Sequence, residues 1–451
     1  MTVEANDLTG LTVHQAVARQ REGRIRATEL VQASLDRIDA QDARLGAWVT
    51  LDRAGALAAA GERDRETQRG LLKPLHGVPI GVKDIYLTRR LPTAAGFPPL
   101  ADYQPGLDAA VVERLEQAGA IILGKTVTTQ FASVDPAKTT NPWDAERTPG
   151  GSSSGSAAAV ATRMVPAAIG SQTVGSVLRP AAYCGVFGMK PTFGRISLRG
   201  VFPLSWSLDH AGFMARSVED LGLLLSILAG HDPADPGSAR VPVDDYLRAS
   251  ARPAENIRLG ILANWQAQAQ PTAWEHFRAV TGQLREAGAT LRDLEFPGGL
   301  PYAIAIQTAI MRVEVAASHA DRFARQRDAY APRLRGWIES GQLISGVDYV
   351  RAQQLRRQLR QQTLALFHDA DCLIVPTASG PAPDRSTTGD ASFQAPASLL
   401  GLPAVTIPTG LSADGLPLGL QIIAPPFAEA KLLSVARFVE SVLPPIGAPP
   451  I

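Results

Sequence analysis

The stretch Thr148-Pro149-Gly150-Gly151-Ser152-Ser153-Ser154-Gly155-Ser156-Ala157-Ala158-Ala159 decides how the chain is read. Every position from Gly150 to Ser156 is glycine or serine, and a helix-forming alanine run follows. Such a loop presents backbone N–H groups and hydroxyls at a helix N-terminus, where negative charge is favoured. Read alone, a Gly/Ser run is equally a flexible linker.

Two further segments separate those readings. Upstream, Pro74-Leu75-His76-Gly77-Val78-Pro79-Ile80-Gly81-Val82-Lys83-Asp84 is an apolar, strand-like run that ends on a lysine. Burial penalises an ammonium, so a lysine enclosed there is pushed towards the neutral amine, which is a base. By itself it would read as a side chain snorkelling to water. Downstream, Gly170-Ser171-Gln172-Thr173-Val174-Gly175-Ser176-Val177-Leu178-Arg179-Pro180 sets a serine after a glycine turn. Such a serine can face substrate while preceding N–H groups aim at a carbonyl oxygen; alone it is an ordinary turn serine.

Taken together, the three segments resemble the amidase signature family. The resemblance runs from about Leu11 to about Val442 and continues through Gly185-Val186-Phe187-Gly188-Met189-Lys190-Pro191-Thr192, Leu208-Asp209-His210-Ala211-Gly212, Gly401-Leu402-Pro403-Ala404 and Gly415-Leu416-Pro417-Leu418-Gly419-Leu420-Gln421. It implies Ser176 as nucleophile, Ser152 as a bridging serine after a cis peptide, and Lys83 as base. It further implies an oxyanion hole from the backbone N–H groups of Thr173, Val174, Gly175 and Ser176. The expected reaction is cleavage of a carboxamide C–N bond through an acyl-enzyme, the proton passing from Ser176 through Ser152 to neutral Lys83.

The chain departs from the pattern in places. The commoner Asp-Thr-Gly-Gly-Ser is Gln172-Thr173-Val174-Gly175-Ser176 here. Val174 would be strained if that position needs positive φ; otherwise it narrows the acyl pocket. The arginine stands three positions after Ser176, as Arg179, which resembles a malonamidase-like subgroup whose arginine holds a substrate carboxylate. Pairing with a protein carboxylate is the competing reading. A late family asparagine is Ser398. Pocket walls are expected from Val174, residues 300–350 and Phe393–Leu402.

Strands alternating with helices predict an α/β fold, a large mixed β-sheet core covered by helices on both faces. Helices are expected at Leu11–Gln20, Ala27–Ile38, Arg53–Gln68, Asp108–Gln117 and Ala428–Val442. Strands are expected at Gly77–Asp84, Ala120–Leu123, Val165–Gly170, Arg258–Leu262, Cys372–Val375, Ala404–Ile407 and Leu418–Ile423. Ser217-Val218-Glu219-Asp220 reads as a capping box. One domain over 1–451 is expected, with a variable helical insertion near 250–370.

Composition excludes other classes. The 451 residues carry 44 basic and 43 acidic side chains, which gives no global field for nucleic acid or an anionic membrane. Two cysteines exclude a disulfide framework and point to the cytoplasm. The acidic start Met1–Asp7 lacks a signal peptide's features, and no apolar run is long enough to span a membrane. The seven histidines are scattered, so neither metal nor cofactor is implied; His76 and His210 are expected to bond locally. The expected partner is a small-molecule amide. A homo-oligomer stays open, as does the role of an amidotransferase A-type subunit in a multi-subunit complex.

Two motif matches compete. Gly119-Ala120-Ile121-Ile122-Leu123-Gly124-Lys125-Thr126 fits the P-loop pattern, but its middle reads as a buried strand rather than a phosphate-cradling loop. Gly151-Ser152-Ser153-Ser154-Gly155 fits the α/β-hydrolase elbow, but no strand precedes it.

Overall fold

A computed structural model describes residues 7–451; Met1–Asn6, and with them most of the stretch read as lacking a signal peptide, lie outside the described residues. Eleven strands form one sheet: β1 (Trp48–Leu51), β2 (Pro79–Lys83), β3 (Ile121–Thr126), β4 (Ala167–Gln172), β5 (Phe187–Lys190), β6 (His210–Ala215), β7 (Arg258–Leu262), β8 (Thr290–Leu294), β9 (Cys372–Pro376), β10 (Ala404–Leu411) and β11 (Pro417–Ile423). Their order is β1-β3-β2-β4-β6-β5-β10-β11-β9-β7-β8. β2 runs parallel to β3 and β4, and β7 parallel to β8 and β9, while the remaining pairs are antiparallel. The sheet is therefore mixed, as expected.

Every residue of β2, β3, β4, β6 and β9 is buried. Strands covered on both faces read as near-continuous apolar runs, which is why most of these segments stand out in the sequence. Among them Lys83 ends β2 with no exposure. β4 runs parallel beside β2 and ends at Gln172, so both strands deliver their C-terminal ends to one edge of the sheet. Ligand sites in such sheets gather at that edge.

The Gly/Ser stretch becomes a loop and then the helix Ser154–Ala161, all of it buried. Gly155 allows this helix to lie close to the sheet: a Cβ there would stand 2.2 Å from Ala47 O and 2.4 Å from Val127 N. The small alanines permit the same close approach further along. The run is thus packed structure, not a linker.

The stretch 250–370 is not purely helical. β7 and β8 lie within it and extend the sheet to its edge, followed by the long helices Gly299–Gln326 and Gly346–Ala365. β8 has no sequence signal because an edge strand, Thr-Leu-Arg-Asp-Leu, is mostly solvated and carries no apolar run. The capping box at Ser217 is half formed. Its hydroxyl accepts from Asp220 N at 3.1 Å, but the Asp220 carboxylate accepts from His14 N at 2.9 Å instead. No helix among the described residues is long and apolar enough to cross a membrane.

Candidate active site

Lys83 Nζ lies 2.7 Å from Ser152 Oγ and 2.8 Å from Ser171 Oγ, all three groups buried. Burial holds the amine well below its ordinary value, and the Asp209 carboxylate opposes this only in part. The Gly151–Ser152 peptide is cis. Ser153 N donates to Ser176 O at 3.3 Å, which ties the Ser152 loop to the Ser176 loop. Ser176 Oγ makes no hydrogen bond to a described residue, and Ser176 lines a cavity of about 240 Å³.

The backbone around Ser176 explains what the loop does. The N–H groups of Thr173, Val174, Gly175 and Ser176 find no acceptor among the described residues, whereas those of Val177 and Leu178 both donate to Gln172 Oε1, at 2.9 and 3.0 Å. A trans peptide sets its C=O opposite its N–H, so holding the carbonyl aims the donor. All four carbonyls are held. His210 Nδ1 reaches Gln172 O at 3.2 Å, Gln307 Nε2 reaches Thr173 O at 3.0 Å, Ser398 Oγ reaches Val174 O at 2.7 Å, and Arg179 N reaches Gly175 O at 2.9 Å. The four free donors are thus fixed in direction by four separate contacts.

Val174 avoids the left-handed region and lines the cavity, so this loop needs no glycine there. Gly175 is different: a Cβ would meet Gln394 Oε1 at 2.4 Å. Ser398, in the family's asparagine position, bridges the loop and Gln172, whose Nε2 donates to it at 3.0 Å.

Several supports carried little or no signal in the sequence. Asp209 is half-buried and accepts from Thr173 Oγ1 at 2.6 Å and from the N–H groups of Leu204 and Ser205 at 2.8 and 2.9 Å. Burial pushes its carboxyl up to about 6 against those hydrogen bonds. Glu314, on the helix Gly299–Gln326, accepts from Ser205 Oγ at 2.5 Å, Ser207 Oγ at 2.6 Å and Tyr349 OH at 2.9 Å. It anchors the 204–209 segment to the helical stretch. Burial keeps His210 neutral; since its Nδ1 faces two carbonyls, Gln172 O and Leu208 O, that nitrogen carries the proton. Only the histidine and aspartate of the Leu208–Gly212 motif pointed this way in the sequence.

Arg179 faces the same cavity, but its Nη groups donate to Gly389 O and Gly151 O, each at 2.6 Å, and to Thr388 Oγ1 at 3.2 Å. No described carboxylate forms a salt bridge with it, although the Asp390 carboxylate on the same wall favours its charge; its Nε is buried without a partner. Val174, Ile304, Met311, Trp337 and Ala395 line the cavity from the expected regions, and the segments 132–134 and 389–391 and Leu204 line it from outside them.

Both competing motifs fail here. Gly124-Lys125-Thr126 lies inside β3, and Lys125 Nζ is spent on Tyr86 O, Thr93 Oγ1 and the Asp84 carboxylate at 2.7, 2.7 and 3.2 Å. The motif forms no loop that could cradle a phosphate. Ser153 is buried and hydrogen-bonds the Ser171 backbone, and a loop, not a strand, precedes it.

The amidase family profile matches residues 29–433. The chain belongs to the amidase signature family. Its sequence is 38% identical, over all of both chains, to the A-type subunit of the glutamyl-tRNA(Gln) amidotransferase from Anaeromyxobacter dehalogenans. Among solved structures it is similar to a chain from a vestigial protein complex reported to reveal the evolutionary origins of an s-triazine catabolic enzyme, at 30% identity and TM-score 0.92, covering 97% of this chain and 100% of that one. It is also similar to the peptide amidase of Stenotrophomonas maltophilia, at 31% identity and TM-score 0.84, covering 97% and 98%. The chain is thus an amidase-family enzyme of amide C–N bonds.

Proposed function

We propose that the protein hydrolyses a carboxamide through an acyl-enzyme on Ser176, with Ser152 and Lys83 as proton relay. One observation carries this: a buried, neutral-leaning amine bonded to Ser152, beside a loop whose four unspent N–H groups surround a hydroxyl open to a cavity. Ser176 Oγ attacks the carbonyl carbon, and its proton moves through Ser152 to Lys83. The oxygen becomes an anion against the N–H groups of Thr173–Ser176, where one such donor is worth about 2.7–4 kcal/mol. The C–N bond then breaks as Ser152 returns the proton to nitrogen, and water, activated by the same relay, releases the acid. No step calls on a cofactor.

Labelling with a fluorophosphonate tests the reading. Wild type should be modified at Ser176, and Ser176→Ala and Lys83→Ala should not; labelling elsewhere, or undiminished labelling of Lys83→Ala, would overturn it.

The cavity supports an acyl half that bears a carboxylate. Arg179 is a buried cation on its wall with no salt bridge, Asp390 being the carboxylate nearby, and two of its five N–H donors, one on Nε and one on Nη1, have no protein acceptor. Because its Nη groups also hold the Ser152 loop, Arg179→Ala should lower kcat for every substrate. It should raise KM chiefly for acidic ones; equal KM changes for acidic and neutral amides would reject the contact.

A second reading is that of an amidotransferase A-type subunit, which works in a multi-subunit complex. The end-to-end similarity to a protein of that name supports it. Amide hydrolysis by the purified chain with amides other than glutamine would count against it.

A further inference from the structure

A second cavity, of about 530 Å³, adjoins the first. The two share Ala132, Thr173 and Leu204 as walls. The larger chamber is apolar, lined by Ile85, Ile196, Leu198, Phe202 and Trp206 among others, and its size falls in the range of about 300–1,000 Å³ typical of small-molecule sites. Trp206 stands at its rim, 65% exposed. Its two aspartates are occupied by the protein. Asp209 takes Thr173, Leu204 and Ser205, and Asp235 accepts from Leu198 N at 2.7 Å and Gly237 N at 2.9 Å. What the chamber offers a ligand is therefore mainly hydrocarbon surface.

Its position assigns it a half of the substrate. The scissile carbonyl must sit between Ser176 Oγ and the N–H groups of Thr173–Ser176, and the acyl chain then faces the smaller cavity of Val174 and Arg179. The nitrogen must reach the Ser152 hydroxyl. Ser152 bonds Lys83, Lys83 bonds Ser171, and Ser171 lines the larger chamber. Through Ser171, the amine of Lys83 stands one contact behind the wall of the apolar chamber.

Resting on the acyl-enzyme reading, we propose that this chamber holds the amine half of the substrate, and that the physiological amide carries an apolar N-substituent rather than –NH₂. The step balances simply. The C–N bond breaks, nitrogen takes the proton from Ser152 Oγ, and a neutral primary amine departs into the chamber while the acyl group stays on Ser176. Water then gives the carboxylic acid. A departing ammonia would find no use for so much apolar wall.

The test uses acetyl and malonyl amides of ammonia, methylamine, isobutylamine and benzylamine, so that the amine grows while the acyl group stays fixed. One added methylene in an apolar pocket is worth about 10–200-fold, so kcat/KM should rise at least about tenfold from methylamide to benzylamide. Protection of Ser176 from fluorophosphonate should likewise be stronger with N-benzylacetamide than with N-methylacetamide, which reads occupancy of the site in addition to turnover. Leu198→Trp, which fills the chamber, should collapse the benzylamide-to-methylamide ratio; should it fail to fold by circular dichroism, Trp206→Ala at the exposed rim should reduce it more mildly. A preference for the primary amides, or a ratio indifferent to both variants, overturns the assignment while leaving the acyl-enzyme in place. Loss of all labelling at Ser176 in wild type would instead strike the acyl-enzyme reading and this assignment with it.

Discussion

Replacing Ser398 with alanine tests whether the loop proposed to hold the oxyanion is aimed by its carbonyls. The hydroxyl donates to Val174 O at 2.7 Å and accepts from Gln172 Nε2 at 3.0 Å. Without it, one acceptor and one donor in the interior lose partners. At about 1–3 kcal/mol for each, the fold should lose about 2–6 kcal/mol. The kinetic effect follows separately. The peptide whose carbonyl is released is the one that carries the Gly175 N–H, so one of four donors is no longer held in direction. Outright removal of a donor costs about 10²–10³ in rate; a donor left in place but free to rotate should cost about 10–30-fold. Fluorophosphonate labelling of Ser176 reads this directly, because its P=O oxygen occupies the same place, and urea unfolding reads stability. Ser398→Asn should recover most of both, since its amide can donate to Val174 O while its carbonyl accepts from Gln172. A labelling rate within about threefold of wild type in Ser398→Ala, despite the expected destabilisation, would refute the reasoning: the loop would then be set by something other than its carbonyl contacts.

Two further outcomes follow from the relay. Lys83 has a folded pKa below its unfolded value of 10.5, so between the two the unfolded chain binds the extra proton and stability rises with pH. Lys83→Met should remove a slope of about 1.4 kcal/mol per pH unit in that window, measured by urea unfolding; an identical slope in both proteins would mean that the wild-type amine is charged. Gln172→Asp places an anion at the end of β4, beside Ser171 and Thr173 in the chain, and should favour the ammonium form of Lys83. The pH–rate profile for labelling should shift to the alkaline side, and a shift to the acid side would contradict the electrostatics.

The fold was legible where burial on both faces wrote continuous apolar runs: β2, β3, β4, β9, β10 and β11 all fall within or beside the expected segments. It was illegible where a strand gains its place from neighbours. β8 is a solvated edge, and β5 and β6 are hidden among the glycines of Gly185–Thr192 and Leu208–Gly212. At the site, Lys83, Ser152 and Ser176 could be named because three segments, each ordinary alone, together resemble the amidase signature family, and Asp209 stood in a further motif of that resemblance. Gln307 and Glu314 could not, because a buried carboxamide or carboxylate that serves a distant segment carries no local pattern. Gln307 lies on a helix 134 residues from the carbonyl it holds.

The departures from the family pattern become one change when seen in space. An aspartate and an asparagine are replaced by Gln172 and Ser398, and these two touch each other. Gln172 Oε1 accepts from the N–H groups of Val177 and Leu178 at the start of the helix Leu178–Cys184, and Ser398 donates to Val174 O. What is lost is a buried negative charge. With an amide at 172, the carboxylate felt by Lys83 is Asp209, already occupied by three donors and pushed towards its neutral form. Less anionic field leaves burial as the dominant influence on the amine, so the substitution preserves the loop's geometry while moving Lys83 further towards the base the relay requires.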